Sequence, residues 1–162
     1  MKQYVQFIDK GVVGVDAKTG KFLWRYDKTA ENSPANIPTP IVDKDYVYTA
    51  TGRGGGGLIK LKKSSDAFEV EQVYFNPKLP TQIGGAIKLG EHLFGTTGQG
   101  LLCVEFVTGT IKWQERAVGA GSLCFADGNL YLHGENGDVA MVEASSDSYR
   151  EKGRFTPPEA PD

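Results

Sequence analysis

One ten-residue phrase is written twice in this chain. VDAKTGKFLW at 15–24 returns as VEFVTGTIKW at 104–113, so Asp16, Gly20 and Trp24 recur as Glu105, Gly109 and Trp113, each 89 positions on. The chain has only two tryptophans, and both hold this place. A second pair, SSDAFEVE at 64–71 and SSDSYREK at 145–152, interleaves with the first at a spacing of 81. The aromatics Tyr4, Tyr48, Phe94 and Tyr131 stand ahead of Asp16, Lys62, Glu105 and Glu143, and those four positions are separated by 46, 43 and 38 residues. Self-similarity at a period near forty means an array of supersecondary units, each leaning on the next.

The interior of one unit shows its secondary structure. Residues 81–117 read as four short strands, at about 83–89, 92–97, 100–106 and 110–116, separated by Leu-Gly-Glu, Gly-Gln-Gly and Val-Thr-Gly. Residues 119–156 repeat the plan with Asp-Gly-Asn, Glu-Asn-Gly and Ser-Ser-Asp at the turns. Short strands bounded by such turns are hairpins. No segment carries apolar residues at i, i+3, i+4 and i+7 over ten or more positions, so no helix is expected. Glycine, at 21 of 162 residues, is nearly double the usual share of about 7 %, and it falls at turns rather than in low-complexity runs.

Four antiparallel strands per roughly forty residues, in series, predict an all-β chain: a β-propeller of about four blades. The blades are expected at about 1–30, 35–76, 81–117 and 119–156, the first lacking its innermost strand. A four-stranded sheet covers its two faces only against neighbouring sheets. Gly20 and Gly109 then sit in tight turns that favour positive φ. Trp24 and Trp113 fall on outermost strands facing a neighbouring blade.

These residues resemble the PQQ-like (pyrroloquinoline-quinone-type) propeller repeat, in which a small apolar residue, an acid, Thr-Gly and tryptophan form the tryptophan-docking motif. The match is strong at 15–24 and 104–113. It is degenerate at 61–70 and 142–151, where Thr-Gly becomes Ser-Asp and the tryptophan is lost. The resemblance covers about residues 3–155, and its nearest members are bacterial PQQ-binding-like and outer-membrane-assembly-like propellers. It implies that Gly20, Trp24, Gly109 and Trp113 are structural, docking blade to blade. Family propellers usually close with more than four blades. The chain is therefore expected to be a segment of a longer propeller, to close alone, or to pair with a second copy into a larger ring.

Catalytic motifs are weak. Gly52, Gly54 and Gly57 in GRGGGG match a dinucleotide fingerprint in form, but LIKLKK after them reads as a strand where that fingerprint needs a helix. The expected structure is a flexible hairpin loop with Arg53 at its tip. His92 and His133 are isolated and read as solvated turn residues. Asp16, Glu105 and Glu143 repeat, so they read as turn acceptors rather than an acid–base pair. Cys103 and Cys124 lie in apolar surroundings and are expected as buried free thiols. A quinoprotein dehydrogenase would need quinone and calcium ligands in its central funnel. The expected inner strands offer Asn36, Thr39, Gln82 and Ser122 but no carboxylate, whereas calcium wants charged oxygens. No cofactor is expected for this chain alone; PQQ and calcium are possible only for a longer parent.

Charge adds an exclusion. Eighteen Lys and Arg against twenty Asp and Glu give a net −2, without the basic surplus that nucleic acid or an anionic membrane would require. No apolar run is long enough for a membrane helix. The expected function is a non-catalytic propeller module that acts as a protein-interaction scaffold, contacting a protein partner or a second copy through Asn36, Thr39, Arg53, Gln82 and Ser122. The alternatives are a segment of a PQQ- and calcium-dependent dehydrogenase and an extracytoplasmic sensor domain. The resemblance implies a periplasmic or envelope location.

Overall fold

The computed structural model describes residues 1–31, 36–52, 54–65, 67–81 and 84–158. Fifteen strands form four separate antiparallel sheets in chain order. The first is a three-stranded sheet of β1 (Gln3–Ile8), β2 (Gly11–Asp16) and β3 (Phe22–Tyr26). The second holds β4 (Ile41–Asp43), β5 (Tyr46–Thr51), β6 (Gly55–Ser64) and β7 (Ala67–Asn76). The third holds β8 (Ala86–Leu89), β9 (His92–Thr97), β10 (Gly100–Glu105) and β11 (Ile111–Glu115). The fourth holds β12 (Gly121–Ala126), β13 (Asn129–Gly134), β14 (Val139–Glu143) and β15 (Glu151–Phe155). Each is a meander and forms one propeller blade. Among the described residues the one helical element is a 3-10 turn at Lys28–Ala30.

Three apolar clusters hold four blades together, one per seam. Phe7, Val12 and Trp24 of blade 1 meet Val47 and Ile59 of blade 2. Tyr48, Ala50 and Leu58 meet Leu93, Leu102 and Val104 of blade 3. Phe94, Leu101 and Cys103 meet Leu130, Leu132, Ala140 and Val142 of blade 4. Each sheet interior thus spends alternate residues on its two neighbours, as a period-two strand must. No cluster among the described residues joins blade 4 to blade 1.

A β-bulge recurs at one place in every blade. Register shifts between Gly14 and Val15, Leu58 and Ile59, Cys103 and Val104, and Met141 and Val142. The residues paired just before the bulge are Trp24, Tyr74, Trp113 and Gly153, which makes these four positions equivalent. The ring expected to be lost from the second unit is therefore present as Tyr74. Strands β6 and β7 are ten residues each, and that longer hairpin carries the ring beyond the window where the spacing placed it.

Other expectations need correction. Tyr48, Phe94 and Tyr131 pair with Leu58, Cys103 and Met141, the residues before the bulge. Tyr4 pairs with Val15, after it. Tyr4 is one residue out of phase and lies on the opposite face. The GRGGGG segment is not one flexible loop: Gly55, Gly56 and Gly57 are buried and begin β6. A Cβ on Gly56 would come within 2.3 Å of the Tyr48 hydroxyl, so side chains are excluded there by packing. Cys103 is buried, but Cys124 is exposed. His92 opens β9 and is half-buried rather than sitting in a solvated turn.

Candidate interaction rim

The blade-to-blade connections gather at one rim, together with the middle hairpin turns. Buried hydroxyls pin each connection there. Thr51 Oγ1 donates to Thr29 O at 2.7 Å, Tyr48 Oη to Pro80 O at 2.7 Å, and Thr96 Oγ1 to Gly121 O at 2.6 Å. Each gives a main-chain carbonyl a hydrogen-bond partner. Burial raises the Tyr48 phenol well above its ordinary value. These pins were invisible in the sequence, because a threonine within a strand carries no mark of the carbonyl it will meet.

The expected contact residues distribute unevenly over this rim. Asn36 Nδ2 donates to Ile8 O and Asp9 O, both at 2.8 Å, and so secures the first hairpin turn. Thr39 and Ser122 are exposed. Arg53 and Gln82 lie outside the described residues. Ser122 pairs in register with His133 across β12 and β13, and both line a cavity of about 310 Å³ with Gly84, Gly121, Gly134, Glu135 and Gly137. Crowding excludes a side chain at three of the four glycines: a Cβ on Gly84 would reach 2.2 Å from Ser122 Cα, on Gly121 2.2 Å from His133 O and on Gly134 2.5 Å from Asn136 Oδ1. On the same rim, Thr81, Thr97, Gln99 and Gln114 line a second cavity of about 490 Å³. His133 was read only as a solvated turn residue and Glu135 was not singled out, because a histidine ending a strand shows nothing of what its neighbours enclose.

The opposite rim carries the repeated turns. Gly20 and Gly109 adopt φ of 72° and 73°, the left-handed region that favours glycine. In both turns the glycine N–H donates to the carbonyl of the acidic residue, Asp16 or Glu105, at 2.9 Å. Asp16 Oδ1 accepts from the N–H groups of Lys18 and Thr19 at 2.9 and 2.8 Å. Those donors, Thr19 first, lower the carboxyl below its ordinary value. Glu143 instead takes Arg150 and Lys152, each at 2.8 Å.

The equivalent rings reach the seams in different ways. Trp24 is 2 % exposed; it donates Nε1–H to Gln3 Oε1 at 2.6 Å, with Gly14 beneath the indole. Tyr74 donates to Phe106 O of blade 3 at 2.9 Å, and its ring covers Gly109. Trp113 donates to Ser145 O of blade 4 at 3.0 Å, with its ring 6.1 Å from both Phe94 and Tyr149. Gly20 has no atom within 4 Å of a would-be Cβ.

The donors of a quinone–calcium site do not converge. Among the described residues no three His, Cys, Asp or Glu side chains come together as a metal site. Inner strand β4 does carry a carboxylate, Asp43, contrary to expectation. It is paired with Lys88 at 3.0 Å, and the Asn36 amide nitrogen is committed to backbone. No helix among the described residues is long and apolar enough to cross a membrane.

Comparisons with known proteins agree on the architecture. No curated protein matches the chain. BamB from Moraxella catarrhalis superposes with a TM-score of 0.69 at 15 % identity, over 94 % of this chain and 44 % of that one. The N-terminal domain of Nup159 gives 0.64 at 13 % identity, over 97 % and 42 %. AztD of Citrobacter koseri gives 0.60 at 15 %, over 95 % and 44 %. The chain thus spans less than half the length of the solved structures it matches. At these identities the likeness is one of fold, a propeller. A family profile described as outer membrane protein assembly factor BamB matches residues 2–150. The chain belongs to that family of PQQ-like β-propellers.

Proposed function

We propose that the chain is a non-catalytic scaffold that binds a protein partner across the pinned rim, within the bacterial envelope. One observation carries this reading: the rim combines two shallow cavities with connections fixed by buried Thr51, Tyr48 and Thr96 hydroxyls. A rigid surface of this kind loses little conformational freedom on binding. The name of the matched family refers to outer-membrane protein assembly, and one neighbouring structure holds Nup159 bound to Dbp5. Both support protein recognition as the use of the fold. We assign Trp24 and Trp113, with Gly109, to blade docking and Gly20 to its turn; Thr39 and Ser122 are assigned to the contact surface.

The test is site-specific photo-crosslinking in bacteria. A photoreactive residue at Ser122 or Thr39 is expected to give a discrete protein adduct, whereas one at Lys18, on the other rim, gives none. Equal adducts from both rims overturn the reading. So does saturable PQQ and Ca²⁺ binding with dye-linked alcohol oxidation by the purified chain.

A further inference from the structure

The cavity of about 310 Å³ on the pinned rim is walled by two blades that meet inside the described chain. Gly84 precedes β8 of blade 3. Gly121 and Ser122 open β12 of blade 4, and His133, Gly134, Glu135 and Gly137 run from β13 into the turn before β14. Its floor is main chain. Gly121, Gly134 and Gly137 are buried, and Gly121 pairs in register with Gly134. Thr96 Oγ1 of blade 3 holds the Gly121 carbonyl at 2.6 Å. The Glu135 N–H donates to Ala120 O at 2.9 Å and the Gly134 N–H to Asp138 O at 2.8 Å, which fixes the turn.

Three polar side chains surround this floor. Ser122, His133 and Glu135 are all exposed, and among the described residues none of their side chains has a hydrogen-bond or ion-pair partner. Other carboxylates of the same rim are matched within the molecule. Asp27 takes Arg25, Glu31 takes Lys28 at 2.8 Å, and Asp138 lies 3.7 Å from Arg154. The carboxylate of Glu135 is left with its charge, and no lysine or arginine lines the cavity among the described residues. A carboxylate beside a hydroxyl and an imidazole, with no cation among them, is the complement of a positively charged donor. The volume is at the lower end for a ligand site, which suits one side chain rather than a whole cofactor.

We propose that this cavity receives an arginine side chain of the protein partner, with its guanidinium on the Glu135 carboxylate. The planar fork of arginine matches a carboxylate with two parallel hydrogen bonds, and it gives up its hydration more readily than an ammonium. Its flat face can lie on a floor that carries no Cβ. The inference rests on the reading of this rim as a protein-binding surface and names the group that the surface recognises.

Amide-resolved NMR titration of the 162-residue protein with the capped tripeptide acetyl-Gly-Arg-Gly-amide tests it. Saturable shifts are expected at the amides of Gly121, Ser122, Gly134, Glu135 and Gly137. Glu135→Gln should weaken binding by about tenfold, the equivalent of one charged pair. The rest of its spectrum should be unchanged, because the turn is held by main-chain bonds. Glu91→Gln, in the β8–β9 turn on the opposite rim, should bind as the unsubstituted protein does. Acetyl-Gly-Glu-Gly-amide should cause no shifts at the cavity. Absent or scattered shifts overturn the proposal, as does binding undiminished in Glu135→Gln. Equal affinity for the lysine tripeptide overturns the assignment to arginine. Failure of the rim reading itself looks different. A Ser122 photo-adduct that persists undiminished in Glu135→Gln removes the arginine and keeps the partner, whereas equal adducts from Ser122 and Lys18 remove the partner.

Discussion

The Tyr74 ring of blade 2 lies on Gly109 of blade 3, so close that a Cβ there would stand 3.0–3.1 Å from three ring carbons. The glycine belongs to the repeated turn, and the ring stands at the position equivalent to tryptophan. Gly20 has the same φ and hydrogen bonds but no ring above it. The two glycines separate the demands of the turn from those of the seam.

Alanine at Gly20 should therefore cost only the left-handed backbone strain, roughly 1–2 kcal/mol. Alanine at Gly109 bears that strain and also displaces Tyr74, adding about 1 kcal/mol or more. Urea unfolding of both variants measures the difference. Equal losses would mean that the Tyr74 contact contributes nothing.

Tyr74→Phe keeps the ring and removes the donor to Phe106 O. A buried carbonyl left without its partner should cost about 1–3 kcal/mol. Tyr74→Ala removes the ring as well and should cost roughly 3–5 kcal/mol, in the range of large aromatic truncations. Thermal unfolding of the pair distinguishes the hydrogen bond from the packing.

Gly14 has ordinary φ, and a Cβ on it would come within 2.1 Å of Trp24 Nε1. Gly14→Ala should therefore push the indole off its seat, with a stability loss of about 1–3 kcal/mol. Loss of the bond to Gln3 and entry of water should red-shift tryptophan emission. Emission unchanged in the variant would contradict the placement of Trp24.

The thiols should differ sharply. Burial pushes Cys103 up to about 11, and its thiolate is scarce at mildly alkaline pH. A thiol reagent at low protein concentration should modify Cys124 at once and Cys103 only on unfolding. Cys124→Ser should abolish the fast phase. Two fast thiols in the native protein would refute the burial of Cys103.

Acid sensitivity should centre partly on β15. The Arg154 guanidinium, followed by the Tyr149 hydroxyl, holds the Glu151 carboxyl down to about 2, against an ordinary 4.5. A carboxyl depressed by folding stabilises above its unfolded value and loses that contribution as pH falls from about 4.5 toward 2. Glu151→Gln should therefore flatten the fall of the unfolding midpoint across that interval while lowering it at neutral pH. The group is largely solvent-facing, so the effect is modest and weakens with salt.

Much of this architecture was legible in the residues. The period, the four-sheet plan and the strand limits in the third unit follow from local alternation of apolar residues and turn residues, which a hairpin satisfies without distant help. The turn roles of Asp16, Gly20, Glu105 and Gly109 were equally local. The rim was legible only in outline. Ser122 was singled out as a contact, but the His133 beside it, the Asn36 bonds to the first turn and the Thr51, Tyr48 and Thr96 pins depend on chain segments 11 to 32 residues away.

What the sequence alone determined was that sheets recur and must cover one another. Only the tertiary structure decided which residue stands in each seam. That choice depends on register, and in a strand a shift of one residue turns a side chain to the other face. It turned Tyr4 away from the first seam, and a longer second hairpin delivered Tyr74 to the place spacing had declared empty. Cys124 was left in the open, because burial belongs to the neighbouring sheet and not to the strand that carries the side chain.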